Sequence, residues 1–400
     1  MDQREEFVRL ALRPGTNMRE LCRRFGISRG NGYKWLDRYL VGGRAELADR
    51  SRRPHCSPTR TADAVEAEVL RIRESSNNAW GGRKIAAILK RREATVVPVP
   101  STITEILRRH GKLDQRASEH PGPYQRFERA QPNELWQMDF KGDFAIGRGS
   151  CHPLTVLDDH SRYSLGLEAC ANQQDQPTRE RLTSVFRRYG LPDTMLMDNG
   201  SPWGDSGGGR YTGFSVWLMR LGVRVAHGRP YHPQTQGKDE RFHRTLKAEV
   251  LTGCPYADLI ECQRAFDRWR HVYNHQRPHQ ALDMATPGER YRASSRSFSE
   301  MLPPIEYGPD DIVRKANQDG DIRFKGRRVR LGKPFRAQPI ALRATIQDGV
   351  YGIYFCVQQI ATIDLTAMAA SACGLVDIAT AMPTSPQAQH QKQNQVDNRG

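Results

Sequence analysis

From Asn133 onward the chain changes texture, and that change limits its fold more than any other feature. Leu135–Ala145, His152–Leu157 and Tyr163–Ala169 read as three successive strands separated by turn residues. Helix and strand then alternate. Pro177–Tyr189 is an amphipathic helix closed by Gly190, and Asp193–Met197 is a short buried strand. Gly213–Leu221 reads as a helix, Arg224–His227 as a strand and Lys238–Val250 as a strong helix. Asp258–Asn274 is one more helix, with Phe266, Trp269 and Tyr273 at helical spacing. Three strands in a row, then alternation, imply a mixed sheet covered by helices.

Upstream the pattern is helical and basic. With 400 residues the chain exceeds what one core organises, so two to four domains are expected. In residues 1–50 a helix is expected from about Asn17 to Phe25, Gly26 breaks it, and Ser28 caps a second helix running to about Tyr39. Helix, short Gly-containing turn, helix is the helix-turn-helix pattern. The second helix carries Arg29, Asn31, Lys34 and Arg38, with Trp35, Leu36 and Tyr39 turned inward; its first turn is the part that meets base edges. The alternative is an ordinary helical hairpin with a solvated basic face, and Gly30 and Gly32 weaken the helix. An Arg-, Pro- and Ser-rich linker (51–61) leads to a second small helical domain, 62–112. Its helices are expected at Ala64–Arg73, at Gly82–Arg92 and from a Ser101 cap to His110, with Arg83 and Lys84 as candidate DNA contacts. A polar connector (113–132) follows. Beyond the 133–295 core, residues 296–365 include a Val/Ile/Phe-rich stretch with repeated Arg and Gly (320–364), which suggests a small β-barrel. The Ala-, Gln- and Asn-rich tail, 366–400, has the composition of a disordered segment.

Charge points to a polyanionic partner. The formal net charge is +16, and residues 1–130 hold 27 basic and 16 acidic side chains, so +11 of it sits in the first third. The eight Cys (22, 56, 151, 170, 254, 262, 356, 373) form no CxxC pair, which argues against a disulfide framework or a cysteine zinc site. MDQREEFVRL lacks the apolar region of a signal peptide, and the weakly polar run near Leu365–Met382 is interrupted by Asp377. The expectation is a soluble chain in a reducing cytoplasm, associated with the nucleoid and not with a membrane. No GxxxxGK[ST] is present, so no nucleotide cofactor is expected.

Three carboxylates stand out by position. Asp139 lies in the first strand between Met138 and Phe140, where an unpaired buried charge is costly. Asp198 ends a short apolar strand, at the sheet edge where α/β folds bind ligands. Glu240 is in the first turn of a helix after Gly237. Hard oxygen ligands from separate elements suit Mg²⁺ or Mn²⁺ that keeps waters for a phosphate substrate. Two such ions, roughly 3.5–4 Å apart, activate a water or a DNA 3′-hydroxyl and stabilise the departing oxygen. His243, Arg244 and Lys247 follow Glu240 at i+3, i+4 and i+7, a stripe fit to hold metal and DNA backbone together. His227, His232 and Lys238 border the same segment, Lys238 as a DNA contact. His271, His275 and His279 invite a zinc reading, but Pro278 prevents a shared helical face and a packing role is preferred.

WQMDFKG (136–142), MDNGSPW (197–203), PYHPQTQGKDERFHRTLKAE (230–249) and YNHQRPHQAL (273–282) resemble, in order, the integrase-core transposases of bacterial insertion sequences, most nearly the IS481-type group. The resemblance covers about residues 5–365. It implies an RNase H-like core whose catalytic triad is Asp139, Asp198 and Glu240, two metal ions, and cleavage and joining of DNA. It implies double-stranded DNA partners, the element's terminal inverted repeats and the target, and no covalent protein–DNA intermediate. Because two ends must be held together, a homodimer or higher oligomer is expected. Asp239 is expected to point off the shared face, Asp158 and Asp159 to be structural, and Glu249 to be less well placed for metal. The chain departs from the pattern in its Gly-rich GDSGGGR (204–210), which leaves 41 residues between Asp198 and Glu240 and reads as an active-site loop. The zinc-binding N-terminal module of retroviral integrases is absent, and the tail after Thr366 looks foreign to the family. Two rival readings are a DNA-binding protein whose core has lost catalysis and a simple RNase H-like metal nuclease.

Overall fold

A computed structural model describes residues 3–49, 60–113, 128–198, 200, 202–203, 211–227, 237–253, 255–366 and 375–376. Most of the linker and connector, Asn199, the 204–210 loop, His232 and nearly all of the tail lie outside the described residues. The chain divides into two units, 1–62 and 63–400.

In the first unit α1 (Gln3–Ala11), α2 (Met18–Arg24) and α3 (Arg29–Gly42) enclose Phe7, Val8, Leu21, Cys22 and Leu47. The two expected starts have local causes. The Asn17 side chain accepts from the backbone N–H groups of Arg19 and Glu20, and Ser28 Oγ accepts from Asn31 N. α1 was not anticipated; it supplies Phe7, whose ring meets Phe25 and Trp35 edge-on at 5.4 and 5.6 Å. Gly32, unfavourable by propensity, is required by packing. A Cβ there would lie 2.6 Å from Cys22 Sγ and 2.8 Å from the Phe7 ring.

The second unit begins with α4 (Asp63–Ser75), α5 (Gly82–Arg91) and α6 (Pro100–Arg109), packed through Val69, Ile72, Ile85, Leu89, Ile103, Ile106 and Leu107. The expected Ser101 cap is replaced by an earlier start. Pro100 opens α6, where a missing N–H costs nothing, and Val99 precedes it without a side-chain cap.

The sheet contains β1 (Leu135–Phe140), β2 (Phe144–Ile146), β3 (Gly149–Asp158), β4 (Ser164–Cys170), β5 (Thr194–Met197) and β6 (Arg224–His227). The first expected strand is thus two, broken at Lys141–Asp143, with β2 forming a hairpin with the start of β3. Across the sheet the order is β4-β3-β1-β5-β6; β3 runs antiparallel to β1 and β4, while β1, β5 and β6 are parallel. One face packs on α7 (Asp175–Tyr189) and α8 (Gly213–Arg220) through Trp136, Met138, Phe186 and Phe214. The other packs on α9 (Gly237–Leu246) and α10 (Leu259–His275) through Leu157, Leu167, Phe242 and Phe266. Between these helices, Lys247–Leu251 is a single π-helical turn. α11 (Pro287–Arg290) then closes the core, with Thr286 and Glu289 forming a capping box.

The C-terminal region is two small sheets. β7 (Ile312–Lys315), β10 (Pro339–Ala344), β11 (Val350–Phe355) and β12 (Gln358–Asp364) form one antiparallel sheet in the order β12-β11-β10-β7. β8 (Asp321–Phe324) pairs with β9 (Arg327–Arg330), and β13 (Leu375–Val376) lies parallel to β9. Among the described residues the strands do not close into one barrel ladder. This region shares a continuous core with the α7–α8 face of the central sheet. The Gln358 side chain accepts from Val225 N (2.8 Å) and donates to Val225 O (3.0 Å), pairing the outer edge of β6 as a further strand would.

Candidate active site

Asp139 is carried to its place by the alternation of β1. Trp136 and Met138 point into the α7–α8 face, so Gln137 and Asp139 point to the face covered by α9. β1 and β5 are in parallel register at Leu135–Thr194, Trp136–Met195 and Gln137–Leu196. Two more steps of that register set Asp139 beside Asp198. The turn after β5 is fixed by Gly200 N–H donating to Asp198 Oδ1 (3.1 Å), by His227 Nδ1 2.9 Å from Asp198 O, and by Trp203 stacked on Phe140 at 5.4 Å. A side chain at Gly200 would put its Cβ 3.1 Å from Asp198 Oδ2.

The electrostatics of the two carboxyls follow from this placement. Burial pushes the Asp139 carboxyl up to about 7, and the neighbouring Asp198 charge pushes the same way. Asp198 is also raised by burial, against the pull of the Gly200 N–H and His227. His243 sits on α9 with Nε2 2.9 Å from Thr155 Oγ1, which itself donates to Asp139 O. Its Nδ1 is 3.9 Å from Asp139 Oδ2. Burial and the Lys141 charge lower His243 to about 4, so it is neutral at pH 7 and that contact is no ion pair.

The start of α9 differs from the expectation. Glu240 is exposed, on the same side as exposed Arg244 and Lys247. Asp239, expected to point away, is 2% exposed and shares the face of buried Phe242 and Leu246 at i+3 and i+7. Its Oδ1 is buried without a hydrogen-bond partner among the described residues. Burial, then the charges of Asp139 and Asp159, hold its carboxyl well above the usual range. The apolar phase of α9 sets this rotation, and the spacing of Asp239 to Phe242 and Leu246 was the signal available in the sequence.

The flanking basic residues divide. Lys238, expected at DNA, is turned inward: its Nζ lies 2.5 Å from Asp159 Oδ1 and donates to Asp159 O at 3.2 Å. Asp159 also accepts from Gln137 Nε2 and Arg129 N, while Asp158 accepts from Asn133 N and from Ser161 N and Oγ. Both aspartates are fully buried, which fits their structural reading. Lys84, another expected DNA contact, is half-buried near Arg277 and Glu249; burial and the Arg277 charge push it down to about 8. Arg83 is exposed on α5, as are Arg29, Asn31 and Lys34 on α3, and Arg38 is partly exposed. The His271 and His275 rings lie tilted against each other at 5.1 Å on the surface, whereas His279 is buried against Tyr273 at 4.7 Å. Among the described residues no group of three or more His, Cys, Asp or Glu forms a ready metal cage. No helix among them is long and apolar enough to cross a membrane.

Known proteins share this organisation segment by segment. Residues 3–55 match a helix-turn-helix domain, and 31–107 a homeodomain-like domain. Residues 129–233 and 221–287 match two models of an integrase core domain, and 311–371 the C-terminal domain of IS481 family transposases. A protein named as a transposase for insertion sequence element IS5376, from Geobacillus stearothermophilus, is 26% identical over 246 residues, 58% of this chain and 59% of that protein. An uncharacterised 31.7 kDa protein of insertion element IS407, from Burkholderia multivorans, is 25% identical over 177 residues, 43% of this chain and 62% of its own. The chain therefore spans about three fifths of the length of these relatives. A structure of the HTLV-2 integrase catalytic core domain in complex with magnesium aligns with 41% of this chain and 99% of its own, at a TM-score of 0.32 and 15% identity. The chain thus carries, in order, helix-turn-helix and homeodomain-like regions, an integrase core domain and a C-terminal domain similar to that of IS481 family transposases.

Proposed function

We propose that this chain is the transposase of an insertion sequence, which binds the element's terminal inverted repeats and cuts and joins DNA ends at Asp139, Asp198 and Glu240. The observation that carries the reading is the β1–β5 register, which sets two partly buried carboxyls side by side, with Asp139 raised to about 7. Such a pair is stable as two anions only beside cations, and the unpartnered Asp239 Oδ1 adds to that demand. An all-oxygen carboxylate set of this kind fits Mg²⁺ or Mn²⁺, two ions per site. When bound, they supply activation of a water or DNA 3′-hydroxyl and stabilisation of the leaving oxygen.

The chain's own residues supply the rest. Asp139 and Asp198 hold the ions from the sheet and Glu240 holds them from α9. Arg244 and Lys247, exposed on the Glu240 side, hold the phosphate backbone. Arg29, Asn31, Lys34 and Arg38 on α3 and Arg83 on α5 read the end. Two ends held together call for a homodimer or higher oligomer.

One observation favours a second assignment for the third carboxylate: Asp239, not Glu240, is buried within electrostatic reach of Asp139. The test is Mg²⁺- or Mn²⁺-dependent joining of a labelled DNA end into plasmid by wild type, Glu240→Gln and Asp239→Asn. The expected outcome is loss of at least about 100-fold for Glu240→Gln with DNA binding intact. Loss confined to Asp239→Asn transfers the role to Asp239. Wild type that binds the correct end and joins nothing returns the chain to the DNA-binding reading.

A further inference from the structure

The π-helical turn that follows α9 carries a buried carboxylate with no part in the site described above. The Glu249 side chain is 6% exposed, and its partners come from distant segments. Oε1 accepts from Arg277 Nε at 3.1 Å, and Oε2 accepts from Trp269 Nε1 on α10 at 2.8 Å. The Glu249 backbone carbonyl accepts from Asn77 Nδ2 at 2.7 Å, and Asn77 belongs to the loop after α4, in the upstream helical module. Arg277 is also buried, its guanidinium 5.6 Å from the centre of the Tyr273 ring. Tyr273 and Trp269 in turn pack on Phe242 of α9 at 4.9 and 5.4 Å.

A buried ion pair is poor value as a source of stability, because desolvation offsets its attraction, but it fixes a register that an apolar contact would leave free to slide. Here the register is that of the π turn, and π turns inside helices commonly mark functional positions. The turn continues directly from α9, so locking it holds α9, and with it Glu240, in the rotation that Phe242 and Leu246 select. Asn77 is shaped for its contact. It and Asn78 have φ of +50° and +58°, and Asn78 N–H donates to Arg73 O, so the chain doubles back at the end of α4 and presents the amide. Arg91 of the same module donates to Met284 O and pairs with Glu289 at 3.0 Å, a second tie to the same side of the core.

We infer that Glu249 is a positioning residue through which the 63–113 module, by Asn77, sets the catalytic helix for joining. The inference rests on the proposed transposase activity and on the module's engaging the DNA end. The module then does more than add affinity: DNA held there raises the rate of joining once the end is bound.

The test uses the full chain at saturating protein, in single-turnover joining of two labelled ends. One end is long enough to reach the 63–113 module, and the other is cut back to the bases at the core. Wild type is expected to join the long end about fivefold faster at saturation. Asn77→Gly keeps the positive φ and removes the amide. It is expected to bring the long end down to the rate of the short one, with the affinity for the long end and the melting temperature unchanged. Glu249→Gln, which keeps an acceptor for Trp269 and loses the charge facing Arg277, is expected to slow both ends about tenfold at saturation. Equal rates on both ends in wild type, or an unchanged ratio in Asn77→Gly, overturns the inference. Wild type that joins neither end overturns the transposase reading instead.

Discussion

Lys84 and His279 illustrate what burial beside a buried cation does to a basic side chain. Burial is the larger cause for both, and the Arg277 charge adds to it: His279 is pushed down to about 2 and stays neutral, and Lys84 falls to about 8. For Lys84 the unfolded chain holds its proton more tightly between pH 8 and the ordinary value of 10.5. The folded protein therefore carries a penalty that is constant below pH 8 and relieved as pH rises through 8 toward 10.5. Lys84→Met removes the charge and keeps the stem. Its melting temperature should exceed that of wild type by about 2 °C at pH 7, with the gap closing by pH 10.5. A variant less stable than wild type at pH 7, measured by calorimetry, would mean that the attraction to Glu249 outweighs burial and Arg277. His279 adds the opposite flank: its unfolded form gains a proton below about pH 6.5 that the folded form refuses, so stability declines as pH falls from there.

At the scale of the element, α3 sets propensity against packing. Gly30 faces open space, whereas a Cβ at Gly32 would press on Cys22 and Phe7. Gly30→Ala should therefore stabilise the first unit by up to about 1 kcal/mol, the ordinary gain of Ala over Gly in a helix. Gly32→Ala should cost about 1–3 kcal/mol net, because overpacking outweighs that gain. Amide exchange of Phe7, Leu21 and Cys22 in the full chain distinguishes them, with protection rising in the first variant and falling in the second. Protection that rises in both would show that the α1–α2–α3 core yields freely. In α9, too, packing decides. Its charged residues suggested Glu240 as the inward one, but the apolar pair Phe242 and Leu246 fixes the buried face, and Asp239 goes with them.

Across the whole second unit, the central sheet and the C-terminal sheets are joined by one core, and Gln358 bridges them at a sheet edge. Gln358→Leu leaves Val225 with a buried N–H and C=O unpaired, each costing about 1–3 kcal/mol. The expected result is faster exchange at Val225 and faster proteolysis of the C-terminal region, with the 63–113 module unaffected. If the whole chain melts as one step at a lower temperature, the two regions form a single cooperative unit and the edge contact has no separate role.

The sequence by itself determined the elements and the two strand-borne aspartates, because period, caps and turns are local: Asn17 and Ser28 cap within three residues, and Asp139 stands out from its apolar strand without reference to anything distant. The order of the motifs likewise carried the resemblance that the integrase-core and IS481-type domain matches bear out. The rotation of α9, the inward turn of Lys84 and Lys238, the pairing of β6 by Gln358 and the role of Glu249 were decided only in three dimensions. Glu249 finds its partners 20 and 28 residues downstream and 172 residues upstream, and Lys238 meets Asp159 across 79 residues. Whether a charge is solvated, buried or paired depends on what the fold brings against it, and no local pattern contains that neighbour.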